Sequence, residues 1–396
     1  MSPDTIVRLV FASLVLVGCA EDTSPNLDER SSGARTVQED DQRATPLQRG
    51  LDRLHAGGVI GVVARGSDGV RVIDARSGSA RRNSTEPVAF ESQFRMGSNT
   101  KTFVAVVMLQ LVDEGKIRLD DTVDRWLPGL VSGHGNDGKK ITMRHLLQHT
   151  SGLRDYSDDL LEDFTEKDYY AKRFQHFDPE ELVTTAIAHE PKFAPGTGWS
   201  YSNTNYTLAA MIIEKVTGHD WSTEVRTRIL EPLQMWHTFE PGDWADLPAP
   251  HAQGYNSFSA GQPPIDVTLF NMSWGGAAGS LITTTEDLTR FWRALQGGEL
   301  LSPARMAEMH DTVPATELHA VFPGLRDGLG IFWSPTRCGG FWHHPGDTPG
   351  FSTRNAVNDG GTRSVVLSEN TTGGVSVASR AKDELQLLED VMCADR

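Results

Sequence analysis

The stretch FRMGSNTKTFVAVVMLQLVDEGK, residues 94–116, limits most sharply what this chain can become. From Phe103 to Val112 it is apolar nearly all round and contains no proline. It then runs into Glu114-Gly115-Lys116, where glycine suits the end of a helix. A helix with no polar face must be enclosed on every side, so the rest of the chain has to supply a large core around it. Ser98 then opens a central helix, with Lys101 one turn further along the same face. Taken alone the pair is a weak signal, because a serine N-cap followed by a solvated lysine has the same spacing.

The chain is long enough for that core: its 396 residues suffice for one large domain or two modest ones. Apolar residues make up 38% and charged residues 23%, the balance of a globular protein. A net charge of -16 and the lack of a basic stripe argue against nucleic acid as a partner. GGVIGVV at 57–63 is rich in glycine but lacks the Gly-Lys-Ser/Thr ending of a phosphate loop.

The first twenty residues, MSPDTIVRLVFASLVLVGCA, read as an export signal: Arg8, then a short apolar run from Leu9 to Val17. Leu16-Val17-Gly18-Cys19 resembles a bacterial lipobox, which implies lipidation at Cys19 and a membrane anchor at the cell envelope, or secretion if the lipobox is not used. Residues 1–19 are thus expected to be a lipoprotein-type signal peptide. Residues 20–45, with seven acidic side chains and no periodicity, are expected to be a disordered tether, leaving 46–396 as the folded domain. In an exported protein the two remaining cysteines, Cys338 and Cys393, most simply form one disulfide.

Within 46–396 the pattern predicts a helix at 46–58 and a hairpin from VIGVVARG and VRVIDARSG. A long helical middle follows from about 104 to 220, then strands around GLGIFW, FWHHPG, STRNAVN and RSVVLSEN, and a last helix from Ser379 to Cys393. The expected fold is α+β: an antiparallel sheet built from both chain ends, with flanking helices and a mainly helical inserted subdomain.

Two further stretches carry chemistry. PGTGWSYSNTNYTLAAMIIEKVTG sets Tyr201-Ser202-Asn203 in a turn before a helix, and GGFWHHPGDTPGF sets His344-Pro345-Gly346 on an expected strand. With Ser98-x-x-Lys101 these resemble, in order and spacing, the three signatures of the penicillin-recognising serine hydrolases, in the branch of class C β-lactamases and D-alanyl-D-alanine carboxypeptidases. The likeness extends over roughly 48–396 and is nearest to the secreted D,D-carboxypeptidases of actinomycetes, which also carry a cysteine before the third motif and another near the C-terminus.

The resemblance implies a serine hydrolase of β-lactamase/transpeptidase-like fold, working through an acyl-enzyme without a cofactor or metal. Ser98 is then the nucleophile and Lys101 with Tyr201 the acid/base pair. Asn203 holds Lys101 and a substrate carbonyl, Trp274 lies at the pocket rim, and His344, Gly346 and the Asp347 N–H shape the substrate edge and oxyanion hole. The chemistry agrees, since a hydroxyl attacks only when a neighbouring base takes its proton, and lysine serves once burial lowers its pKa. The pair His145 and His149 has helical spacing but lacks the glutamate of a His-Glu-x-x-His zinc site.

The third motif departs from the family. Pro345 replaces a hydroxyl residue that would bind a substrate carboxylate. Phe332 and Trp333 stand where an arginine is usual, with Arg337 too close to Cys338 to align, and Asp347 adds a negative charge nearby. A peptide, amide or ester substrate is therefore expected, for a D,D-peptidase-like or esterase-like enzyme at the cell envelope, with β-lactams as candidate ligands. A class C-like β-lactamase and a penicillin- or peptidoglycan-binding sensor that acylates without turnover are the alternatives.

Overall fold

A computed structural model describes residues 45–161, 164–259, 261–373 and 377–394. The expected signal segment, Cys19 and the tether up to residue 44 lie outside the described residues. The folded part opens with helix α1 (Pro46–Ala56), capped by the Thr45 side chain on the Gln48 N–H and started by a proline that needs no partner there. The predicted hairpin follows as β1 (Gly61–Ser67) and β2 (Val72–Gly78).

The main sheet is completed by strands far along the chain. These are β3 (Val313–Pro314), β4 (Arg326–Asp327), β5 (Phe332–Thr336), β6 (Gly339–His343), β7 (Gly346–Thr348), β8 (Phe351–Val357) and β9 (Ser364–Glu369). Their order is β2-β1-β9-β8-β6-β5-β4-β3, with β7 paired to β8, and every pairing is antiparallel. Both chain ends thus build one sheet, as the strand pattern predicts.

Strand alternation decides what each face buries. Val62, Ala64, Val365 and Leu367 face α1 and the C-terminal helix α5 (Val377–Met392), meeting Leu47, Leu51, Leu54, Leu387 and Leu388. Val366 and Val357 face the opposite side, where Leu288, Phe291, Trp292 and Leu295 of helix α4 (Thr285–Gln296) pack. The far end of α5 is joined to the β5–β6 turn by the disulfide Cys338–Cys393, with Cα atoms 5.7 Å apart.

The helical middle is built around α2 (Thr100–Asp113), which ends at a Glu114 C-cap followed by Gly115 at φ +69°. Of its fourteen residues, Thr100 to Leu109 and Leu111 are all buried, and Phe103 stacks on Phe291 with ring centroids 3.6 Å apart. Helix α3 (Asn203–Thr217) packs beside it and ends in Gly218 at φ +77°. The two long helices therefore converge at their N-termini, near the edge of the sheet.

Candidate active site

Phe94 and Arg95 pair with Thr283 and Ile282, and the Met96 N–H bonds the Leu281 carbonyl at 3.0 Å, which pins the chain just before α2. The turn Gly97–Asn99 follows, and it demands glycine first. Gly97 has φ +55°, and a Cβ there would lie 2.7 Å from the Asp347 nitrogen. Within the run Ser92–Leu109, Ser98 alone is not buried. The enclosed helix brings a single hydroxyl to the surface.

Lys101 has no exposed surface. Its ammonium finds three acceptors: Ser98 Oγ at 3.0 Å, Asn203 Oδ1 at 2.7 Å and the Ala278 carbonyl at 2.6 Å. All three hydrogens are matched, so the charge can be buried at all. Burial still pushes the amine down to about 7, with Asp155 pulling in the opposite direction. At neutral pH a fraction is therefore uncharged, with a lone pair 3.0 Å from the Ser98 hydroxyl.

Tyr201 lies half-buried before α3, its ring centroid 4.3 Å from that of His149 and 4.8 Å from Lys101 Nζ. Burial raises its phenol well above the ordinary range, while a hydrogen bond with Ser98 opposes the shift. Tyr201 thus keeps its proton at neutral pH and can donate it, while the uncharged fraction of Lys101 can accept one.

Two residues of the loop 148–155 hold this cluster, and neither belongs to the three sequence motifs. His149, considered above only as half of a zinc pair, accepts from the Ser202 N–H at 3.2 Å and from Asn205 Nδ2 at 3.1 Å. Both donors meet Nδ1, which requires the proton on Nε2. Burial first, then Lys101 and His344, keep the ring well below 6.5 and neutral. Its expected companion His145 serves as a helix cap instead, accepting from the Thr142 N–H at 3.3 Å. Asp155 accepts from the Asn203 backbone N–H at 3.1 Å and from Asn203 Nδ2 at 3.0 Å, and Ser157 Oγ takes the same amide at 3.3 Å. Their signal lay in HTSGLRDY, which shows only a polar turn until α3 is placed against it.

Three expectations change. The donors of Asn203 are taken by Asp155 and Ser157, so it orients Lys101 rather than offering an N–H to a substrate carbonyl. Gly346 does not make room for substrate, because a Cβ there would meet the Met96 carbonyl at 1.9 Å. It lets β7 press against the Ser98 turn. Asp347 places no free charge in the site, since its carboxylate bonds Ser352 Oγ at 2.8 Å and Arg354 Nη1 at 3.1 Å.

The third motif is also not one strand. β6 stops at His343, β7 begins at Gly346, and Pro345 between them has no N–H for a ladder. His344 is buried rather than exposed at an edge, its ring 5.0 Å from Phe332 and 6.4 Å from Tyr201. Arg337 pairs with Glu389 and Asp390 on α5. Trp274 stands apart from the Ser98 network: its carbonyl accepts from Tyr156 Oη at 2.7 Å. Its ring walls a cavity of about 150 Å³ shared with Leu160, Leu161, Phe164, Phe177 and Phe270.

Across residues 35–389 the chain matches the model of the family described as Beta-lactamase. A D-stereospecific amidohydrolase from Streptomyces sp. is similar in structure, with 37% identity, a TM-score of 0.81, and coverage of 89% of this chain and 99% of that one. The D-amino acid amidase from Ochrobactrum anthropi SV3, solved with L-phenylalanine amide, shares 28% identity at a TM-score of 0.76, covering 90% and 100%. Penicillin-binding protein 4* of Bacillus subtilis is 30% identical over 70% of this chain, a match that spans 60% of that protein's length.

Proposed function

The chain belongs to the beta-lactamase family of serine hydrolases, and from that premise we propose that it hydrolyses amides of D-amino acids, or closely related esters, through an acyl-enzyme on Ser98. The observation that carries this reading is the buried Lys101 amine, 3.0 Å from Ser98 Oγ and lowered to about 7. Neutral Lys101 takes the hydroxyl proton as Ser98 Oγ bonds the substrate carbonyl carbon. The backbone N–H groups of Ser98 and Asp347 receive the negative oxygen. As the C–N bond breaks, the proton passes by way of Tyr201 to the departing amine, leaving an acyl ester. Water then attacks the ester carbonyl carbon, its proton going to neutral Lys101; the bond to Ser98 Oγ breaks to free the acid, and Lys101 returns the proton to that oxygen.

The substrate class follows from what surrounds the third motif. Pro345 offers no hydroxyl, Arg337 is engaged with Glu389 and Asp390, and Asp347 is engaged with Arg354. A neutral amide or ester end suits these surroundings better than a free carboxylate. The likeness to the D-stereospecific amidohydrolase of Streptomyces and the D-amino acid amidase of Ochrobactrum supports the same choice. We place the enzyme at the cell envelope on the strength of the apolar run ending in Cys19.

The test compares D-phenylalanine amide, L-phenylalanine amide and a D-alanyl-D-alanine peptide on wild type and Ser98→Ala, with intact mass followed during incubation with benzylpenicillin. Preferred turnover of the D-amide, abolished by Ser98→Ala, is expected. Efficient release of D-alanine would return the carboxypeptidase reading. A penicillin adduct that forms and clears as the drug is consumed would favour a β-lactamase, and a lasting adduct without amide turnover a sensor.

A further inference from the structure

The peptide unit between Gly346 and Asp347 is gripped from the side away from Ser98. Asp347 and Ser352 stand opposite each other across β7 and β8, and Arg354 lies two residues along β8 on the same face. One atom of its guanidinium, Nη1, donates to the Thr353 carbonyl at 3.0 Å, to Asp347 Oδ1 and Oδ2 at 3.1 and 3.2 Å and, at the longest distance, to the Gly346 carbonyl at 3.4 Å. A trans peptide is planar, with its C=O and N–H pointing in opposite directions. Holding the Gly346 carbonyl towards Arg354 therefore aims the Asp347 N–H the other way, towards Gly97 and Ser98. The Asp347 nitrogen itself lies beside the Ser98 turn, 2.7 Å from where a Gly97 Cβ would stand.

The grip is itself anchored. Arg354 Nε donates to Glu384 Oε2 on α5 at 2.7 Å, and both residues are buried. Arg380, one turn before Glu384, approaches Glu384 at 3.5 Å and Glu369 at 3.9 Å. Burial, reinforced by Glu384, raises the Glu369 carboxyl well above its usual range, while Arg380 and Arg354 oppose the shift. Arg354 and Arg380 thus face the carboxyl groups of Asp347, Glu384 and Glu369. Buried ion pairs add little net stability over apolar packing of the same volume, so stability is a weak reason for such a cluster beside this peptide.

We propose that Arg354 is a positioning residue for catalysis, fixing the Gly346–Asp347 peptide so that its N–H meets the oxygen that turns negative during acylation. This rests on the reading of Ser98 as nucleophile and of the Asp347 N–H as its oxyanion donor. The group stabilised is a tetrahedral, anionic adduct of Ser98. Binding of the planar substrate does not need it.

Arg354→Lys keeps the charge but loses the planar fork. It is compared with wild type in hydrolysis of D-phenylalanine amide and in inhibition by phenylboronic acid, which forms a tetrahedral adduct on a serine oxygen. The expected result is a kcat lower by about 10- to 100-fold. Boronate affinity falls in parallel, and KM stays within about twofold. Because a lysine could unsettle the fold, Asp347→Asn is measured alongside it; it keeps the N–H and weakens the grip, and the same pattern at smaller size is expected. Unchanged kcat in both variants would overturn the proposal, as would lower kcat with boronate affinity intact, the mark of a merely structural residue. Wild-type activity that survives Ser98→Ala would overturn the nucleophile reading and this proposal with it.

Discussion

Asp155 holds Asn203 by both its backbone N–H and its side-chain amide, at 3.1 and 3.0 Å, and Asn203 in turn accepts from the Lys101 ammonium at 2.7 Å. The carboxylate thus acts on the base through one intermediate side chain and through its charge, which opposes the fall in the lysine pKa.

Asp155→Asn removes the charge but leaves a group able to bond Asn203. Without the nearby carboxylate the protonated amine is less favoured, so the Lys101 pKa moves further down. The acidic limb of the kcat/KM–pH profile is expected to shift to lower pH. The plateau should drop by about 10-fold as Asn203 loosens. A limb that stays put while the plateau falls would mean that Asp155 acts by geometry alone.

Lys101 also makes a stability prediction whose sign can be worked out. Its pKa is about 7 when folded, against 10.5 for the free side chain, so the unfolded chain binds the proton more tightly. Stability contributed by this group therefore rises with pH between about 7 and 10.5, and its penalty is fully present below 7. Lys101→Met should lose this dependence and melt higher than wild type at pH 6, although it surrenders three hydrogen bonds. Its activity should fall by about 10³-fold or more. Paired melts at pH 6 and pH 9 decide it: the gap between variant and wild type must narrow as pH rises.

The same residues show what a sequence can disclose. The enclosed helix 100–113, the Ser98–Lys101 pair and the two-ended sheet were legible, because burial periodicity and short-range spacing are local properties. His149 and Asp155 were not, since their partners Ser202, Asn205 and Asn203 lie some fifty residues away. Asp347 was misjudged for a related reason. Its charge was visible in the sequence, but the pairing with Arg354 depends on which face of β7 the side chain takes. The break at Pro345 could have been read from the missing N–H alone.

The cavity beside Trp274 gives the last prediction. Its volume, about 150 Å³, is the size of a site that holds one benzene ring, and Leu160, Phe164, Phe177 and Phe270 line it. Tyr156, which bonds the Trp274 carbonyl, directly follows Asp155, so one residue links the cavity wall to the chain Asp155–Asn203–Lys101. If the substrate's side chain enters here, Leu160→Trp fills the space. It should raise KM for D-phenylalanine amide by about 10-fold or more, the usual worth of an apolar group excluded from its pocket. Turnover of D-alanine amide, too small to need the cavity, should stay within about twofold. Equal losses on both amides would show that the substitution disturbs the catalytic cluster instead, and no loss on either would place the substrate's side chain elsewhere.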